Sequence, residues 1–153
     1  MIQIELRATP FDPWQYLADW QAQQHQGNTH SGAAAVFVGT MRDFNEGDDV
    51  TRMYLEHYPG MTERQLDKIV ADAVRTWKLD DALVVHRVGE IEPAQPIVLV
   101  AVWSAHRGEA FDACRHIMEV LKHTAPFWKK ETLPDGSVRW VDGNTPLQRQ
   151  PLA

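Results

Sequence analysis

Strand-like two-residue alternation comes in adjacent stretches along this chain rather than one strand per helix, and that order decides the fold class. Ile2, Ile4 and Leu6 alternate with polar residues and predict a half-buried first strand. Asp12 offers a helix N-cap with Pro13 at the first helical position, and the helix is expected to run to about Gln24. Residues 25–31 are polar, carry Gly27 and Asn28, and read as loop. Residues 32–39 form a small-residue apolar run ending in Val36, Phe37 and Val38, which predicts a buried strand. After a polar turn at 45–49, expected as a solvated, mobile loop over its acidic part, residues 51–58 alternate as a strand. Thr62 and Gln65 stand in capping-box spacing before Leu66, Ile69, Val70, Ala73, Val74 and Trp77, which keep a helical period. Strands are expected at 83–88 and 97–104, parted by a turn containing Pro93 and Pro96. A third helix should start near Arg107 and stop before Pro126, with Phe111, Cys114, Ile117, Met118 and Leu121 on its apolar face. A short strand at Val138–Val141 closes the pattern. Strands outnumber helices and come in pairs, so the expectation is α+β with three main helices and a mixed or antiparallel sheet, not a doubly wound sheet.

With 153 residues and no internal repeat or long linker, the chain is expected to be a single domain, 1–153, with a flexible tail from about residue 142. At this length folding buries roughly 70% of the unfolded surface, so one core suffices. Fifteen Lys and Arg against 21 Asp and Glu leave a formal net charge of −6. General attraction to nucleic acid or to an anionic membrane is thereby disfavoured, and an anionic ligand requires a local basic cluster set against the overall sign. The single Cys114 cannot form an internal disulfide or a thiolate zinc site. No signal-peptide pattern is visible and the longest apolar stretches, such as 97–103, are too short to span a bilayer, so the expected location is cytoplasmic.

Several chemistries are missing from the sequence. It has no phosphate-cradling Gly-x-x-x-x-Gly-Lys loop, no Gly-x-Gly-x-x-Gly turn, no Gly-x-Ser-x-Gly elbow and no metal-ligand histidine spacing. His57, His86, His116 and His123 read as ordinary core or surface histidines, and Cys114 reads as core. What stands out is cationic. His106 and Arg107 fall where the third helix starts, a position whose free N–H groups suit an anion and do not suit a cation without one; a solvent-facing pair beside Glu109 is the alternative. Lys122 projects from the edge of the apolar helix face, so it either snorkels to water or holds its amine in a pocket, where burial would favour the neutral form. Lys129 follows the helix-breaking Pro126 and can be aimed back at Lys122, or form a solvated pair with Lys130. Arg42 adds a fixed cation on a loop.

Five segments occur in order: Phe37-Val38-Gly39-Thr40-Met41-Arg42-Asp43, Leu55-Glu56-His57-Tyr58, His86-Arg87-Val88-Gly89, Ser104-Ala105-His106-Arg107 and Lys122-His123-Thr124-Ala125-Pro126-Phe127-Trp128-Lys129-Lys130-Glu131. On these motifs, over residues 32–141, the chain closely resembles the catalytic (large) subunits of molybdopterin synthase. The resemblance implies an α/β-hammerhead-like α+β domain acting as a homodimer. Each end of the dimer would bind one small ubiquitin-like sulfur carrier with a Gly-Gly C-terminus, making a heterotetramer.

The implied reaction moves two sulfurs from the carrier's C-terminal thiocarboxylate to cyclic pyranopterin monophosphate, forming the dithiolene. No metal and no cofactor are implied beyond the sulfur that the carrier donates. Position by position, Lys122 and Lys129 fall on the family's catalytic lysines. Arg42, His106 and Arg107 fall on its substrate-anion contacts, with Thr40, Met41, Lys130 and Glu131 beside them, and Phe37 and Met118 on apolar pocket positions. A further basic residue that members can carry in the C-terminal tail has no evident match in Asp142-Gly143-Asn144-Thr145-Pro146; Arg149 is the only cation beyond Arg139. The competing readings are a non-catalytic docking module for a ubiquitin-like partner, whose signature would be loss of both lysines, and an unrelated anion-binding enzyme such as a phosphate-ester transferase that needs no carrier.

Overall fold

A computed structural model describes residues 1–124 and 127–141. The tail from residue 142, with the basic position sought there, lies outside the described residues, as do Ala125 and Pro126.

The first sheet orders its strands β1-β6-β8-β2: β1 (Ile2–Arg7), β6 (Asp81–Arg87), β8 (Pro96–Ser104) and β2 (Ala33–Thr40). β1 runs parallel to β6, and the other two pairings are antiparallel, so the sheet is mixed as expected. The two central strands, β6 and β8, are nearly continuous apolar runs because helices cover both faces. On one face α1 (Pro13–Gln24) covers Leu83, Val85, Leu99, Ala101 and Trp103 with Trp20. On the other, α2 (Met61–Trp77) and α3 (Arg107–Thr124) bury Leu66, Ile69, Val70, Ala113, Ile117 and Leu121 against Val84, Val100 and Val102. Strand alternation sends Leu83 and Val85 to α1, and Ala82, Val84 and His86 to the other side.

The second sheet orders β10-β9-β5-β7: β10 (Val138–Val141), β9 (Phe127–Thr132), β5 (Arg52–His57) and β7 (Gly89–Ile91), all antiparallel. Met53, Leu55 and Ile91 pack under it with Met41 and Val50. Among the described residues, eight strands in these two sheets and three helices give the α+β class that the order of periods predicts, and a cleft remains where the sheets meet α3.

Local chemistry explains both the agreements and the corrections. Asp12 is extended, and its Oδ1 accepts from the N–H groups of Trp14 at 3.0 Å and Gln15 at 3.2 Å, which starts α1 where expected. The Thr62–Gln65 capping pair does not form. Gly60, at φ 85°, is the N-cap of α2, and the Glu63 carboxylate accepts its N–H. Thr62 instead lies inside the first turn, where its Oγ1 accepts the Tyr58 N–H at 3.0 Å. β2, expected to be buried, is a sheet edge on which only Ala35 is buried. Residues 46–49, expected as a mobile loop, belong to a hairpin of β3 (Phe44–Asn45) and β4 (Asp48–Asp49) turned through Glu46 and Gly47, both at positive φ. Arg139 pins that hairpin by donating to Asp48 Oδ2 at 2.8 Å and to the Asn45 carbonyl at 3.0 Å. Among the described residues no helix is long and apolar enough to cross a membrane.

Candidate active site

A cavity of about 360 Å³ opens where the C-terminal end of α3 meets the two sheets. β2 contributes Phe37, Val38, Gly39 and Thr40; β8 contributes Ile97 and Val98; β6 contributes His86. The second sheet adds Met53, Leu55, Phe127 and Lys129, and α3 closes the site with Met118, Leu121 and Lys122. Gly39 has little room for a side chain, since a Cβ there would lie 2.9 Å from Val98 Cγ1. The walls are mostly apolar and the charges are the two amines, the composition of a site that orients a polar ligand on a few convergent groups.

Lys122 sits in the last turn of α3, where the helix dipole favours a cation. The residue is exposed in part, yet burial is the largest influence on its amine. Burial lowers its pKa; Lys129 and Arg42 push the same way, and Glu119 opposes them. Lys122 therefore releases its proton at a lower pH than an ordinary lysine. Between the snorkelling and pocket alternatives, the structure puts the side chain on the cavity wall.

Lys129 arrives from β9, a strand not expected from the sequence because its alternation, Phe127, Lys129 and Glu131 against Trp128, Lys130 and Thr132, mixes charge into both faces. The inner set faces the cavity and the interior. Glu131 is buried, accepts from Asn45 Nδ2 at 3.0 Å and Arg139 Nε at 3.1 Å, and lies 3.7 Å from Lys129 Nζ. This carboxylate ties the Lys129 strand to the 44–49 hairpin. The outer set carries Lys130, whose Nζ lies over the rings of Tyr54 at 5.4 Å and Trp140 at 5.6 Å, on the face away from Lys129.

The remaining sequence candidates divide. Phe37, Thr40 and Met118 line the cavity with the lysines. Met41 does not; it is buried in the small core under the second sheet, with its N–H donating to the Gln95 carbonyl at 2.9 Å. Arg42 lies beside the mouth with its guanidinium over the Phe44 ring at 4.7 Å, close enough for its charge to act on Lys122. His106 and Arg107 are exposed at the opposite end of α3. From Arg107 to Lys122 is fifteen residues, about 22 Å at the helical rise, so one chain does not bring all five cations together.

His86 is a cavity residue that the sequence does not single out. It is a buried histidine, as read, but also part of the cavity wall, with its ring stacked on Phe127 at 4.2 Å. The available signal was strand parity, which puts it on the α3 side of β6 with Ala82 and Val84. Cys114 is buried and its thiol is pushed up to about 11 by burial, so it is a packed side chain and not a nucleophile. Among the described residues no group of three or more His, Cys, Asp or Glu is placed to hold a metal.

Comparison with known proteins assigns this arrangement to a family. The family profile described as MoaE protein matches residues 6–124. The molybdopterin synthase catalytic subunit of Ralstonia nicotianae is 50% identical over 149 residues, covering 97% of this chain and 82% of that protein. The catalytic subunit of Pseudomonas aeruginosa is 50% identical over 140 residues, covering 92% of this chain and 90% of that protein. Among solved structures, the molybdopterin biosynthesis MoaE protein from Burkholderia ambifaria superposes with a TM-score of 0.76 at 47% identity, covering 95% of this chain and 92% of that one. Molybdopterin synthase from Staphylococcus aureus superposes with a TM-score of 0.78 at 30% identity, covering 90% of this chain and 96% of that one. On the matched profile, these relatives and the shared fold, the chain belongs to the MoaE family, the catalytic subunits of molybdopterin synthase.

Proposed function

We propose that this chain transfers two sulfurs, in successive rounds, from the C-terminal thiocarboxylate of a small ubiquitin-like carrier to cyclic pyranopterin monophosphate. The observation that carries the reading is the pair of lysines, from α3 and β9, on one mostly apolar cavity. In each round the carrier's sulfur forms a bond to a pterin side-chain carbon as a carbon–oxygen bond at that carbon breaks, the oxygen leaving as water or with the phosphate. Water then cleaves the acyl carbon–sulfur bond, leaving the sulfur on the pterin and a carboxylate on the carrier. Lys122 stands nearest the thiocarboxylate, offsets its charge and stabilises the acyl intermediate or moves its proton; its lowered pKa eases release of that proton. Lys129, held by Glu131, positions the pterin and assists proton movement. The sulfur arrives on the carrier, so the inert Cys114 is no obstacle.

The chain works as a cytoplasmic homodimer with one carrier at each end. A solved complex of subunits 1 and 2 of molybdopterin-converting factor from Helicobacter pylori shares this fold at 20% identity and a TM-score of 0.71; its two-subunit assembly is the arrangement expected here. Since His106 and Arg107 stand about 22 Å along α3 from Lys122, their cations meet the substrate phosphate at the neighbouring protomer's cavity. Arg42 meets it from the same chain. The test is conversion of cyclic pyranopterin monophosphate with a thiocarboxylated Gly-Gly carrier. Formation of the dithiolene product supports the reading; a carrier that forms no complex with the chain, or a complex without product, contradicts it.

A further inference from the structure

His86 has no part in the steps above, yet its surroundings fix its chemistry. Its Nδ1 lies 2.7 Å from the Arg87 carbonyl oxygen. A carbonyl can only accept, so the ring proton sits on Nδ1 and Nε2 carries a lone pair. The ring lies 13° from parallel with Phe127, and only 5% of the residue is exposed. Burial is the main reason its pKa falls to about 4, with Lys122's charge adding to the effect, so the imidazole is neutral at pH 7.

Among the described residues, the charged groups acting on Lys122 are Lys129 on β9, Arg42 after β2, and Glu119 one turn earlier on α3. Two of them disfavour its ammonium and one favours it. Among the described residues whose side chains line the cavity, only Thr40 and His86 offer a neutral oxygen or nitrogen acceptor. Thr40 is exposed on the edge strand; His86 is part of the buried wall.

We propose that His86 is the positioning residue for Lys122: its Nε2 accepts one N–H of the amine and thereby aims the amine at the acyl group. The aiming role rests on the sulfur-transfer reading, whereas the contact itself does not. An acceptor stabilises the ammonium more than the neutral amine, so removing it drives the Lys122 titration further down.

The experiment compares the wild type with His86→Phe, which keeps the stacking ring without a nitrogen, and His86→Gln, whose amide oxygen reaches about as far as Nε2. Lys122 is titrated by NMR of its side-chain amine, assigned with Lys122→Arg, and folding of each variant is checked by denaturant midpoint. His86→Phe is expected to lower the Lys122 midpoint by about one pH unit, and to move the matching limb of the single-turnover pH profile equally. His86→Gln should restore both. A folded His86→Phe with an unmoved Lys122 midpoint overturns the proposal, as does a His86→Gln that shifts as far as His86→Phe. If the midpoints move as stated but the wild type transfers no sulfur, the contact stands and the sulfur-transfer reading falls.

Discussion

The two ends of α3 both carry cations, in opposite circumstances. Lys122, in the last turn, lines a walled cavity, although part of its surface stays exposed, and has its pKa lowered mainly by burial. Arg107, in the first turn, stands in solvent at the helix end whose dipole repels it. A cation at the C-terminal end is where helix electrostatics would put one, and desolvation then makes it chemically useful. A cation at the N-terminal end is tolerable when an anion is shared with the free N–H groups. The contrast separates a cavity walled by one chain from a pair of cations that the same chain leaves in solvent.

Four outcomes break or sharpen that contrast. Lys129→Ala, at the built end, should lower the single-turnover rate by about 10²- to 10⁴-fold, the range for loss of a positioned proton-handling group. Unchanged product formation over a quenched time course would remove Lys129 from the site. Arg107→Ala, at the solvent end, should cost about 10- to 100-fold in kcat/KM for the pterin, as loss of one charge-assisted contact does. Its sharper form is complementation: mixed dimers of Lys122→Ala and Arg107→Ala chains should regain one working cavity. If mixing restores nothing, the two ends do not serve each other across a dimer.

Folding stability should carry the mark of His86. Its folded pKa, about 4, lies below the unfolded value of 6.5, so the unfolded chain binds the extra proton between those pH values. The contribution is whole above pH 6.5 and is lost as the pH falls toward 4, about 3 kcal/mol at ~1.36 kcal/mol per unit. Urea midpoints across that window should fall for the wild type and change less for His86→Phe; equal slopes would mean that His86 is not buried neutral. The smallest effect belongs to Cys114→Ala, which should leave the single-turnover rate within about twofold while costing some core packing. A large rate loss without unfolding would return the thiol to the chemistry.

Much of this architecture is legible in the sequence because local chemistry and tertiary demand coincide. Asp12-Pro13 starts α1, and the 3.6-residue periods of α2 and α3 face the core. The order of alternating stretches gives the α+β class. The misses occur where tertiary context overrides a local rule. β9 has charge on both faces because one face meets a cavity and the other an aromatic sheet surface, so its period looks like a loop. The 44–49 segment reads as solvated acid until Arg139, nearly a hundred residues later, folds onto it. β2 reads as buried because its residues are small and apolar, although it forms an edge. At the site, residue types and spacing single out Lys122, Lys129, Arg42, His106 and Arg107. Their division between two ends of one helix follows only from the length of α3.

The central claim is that the built end of α3 does the chemistry through Lys122, and it is tested most directly by one reaction. Preformed thiocarboxylated carrier and cyclic pyranopterin monophosphate are mixed with excess wild-type or Lys122→Ala protein, and transferred sulfur is followed over a single turnover. A fall of at least about 100-fold with carrier binding intact is the predicted result. A variant that transfers sulfur at the wild-type rate would contradict the account.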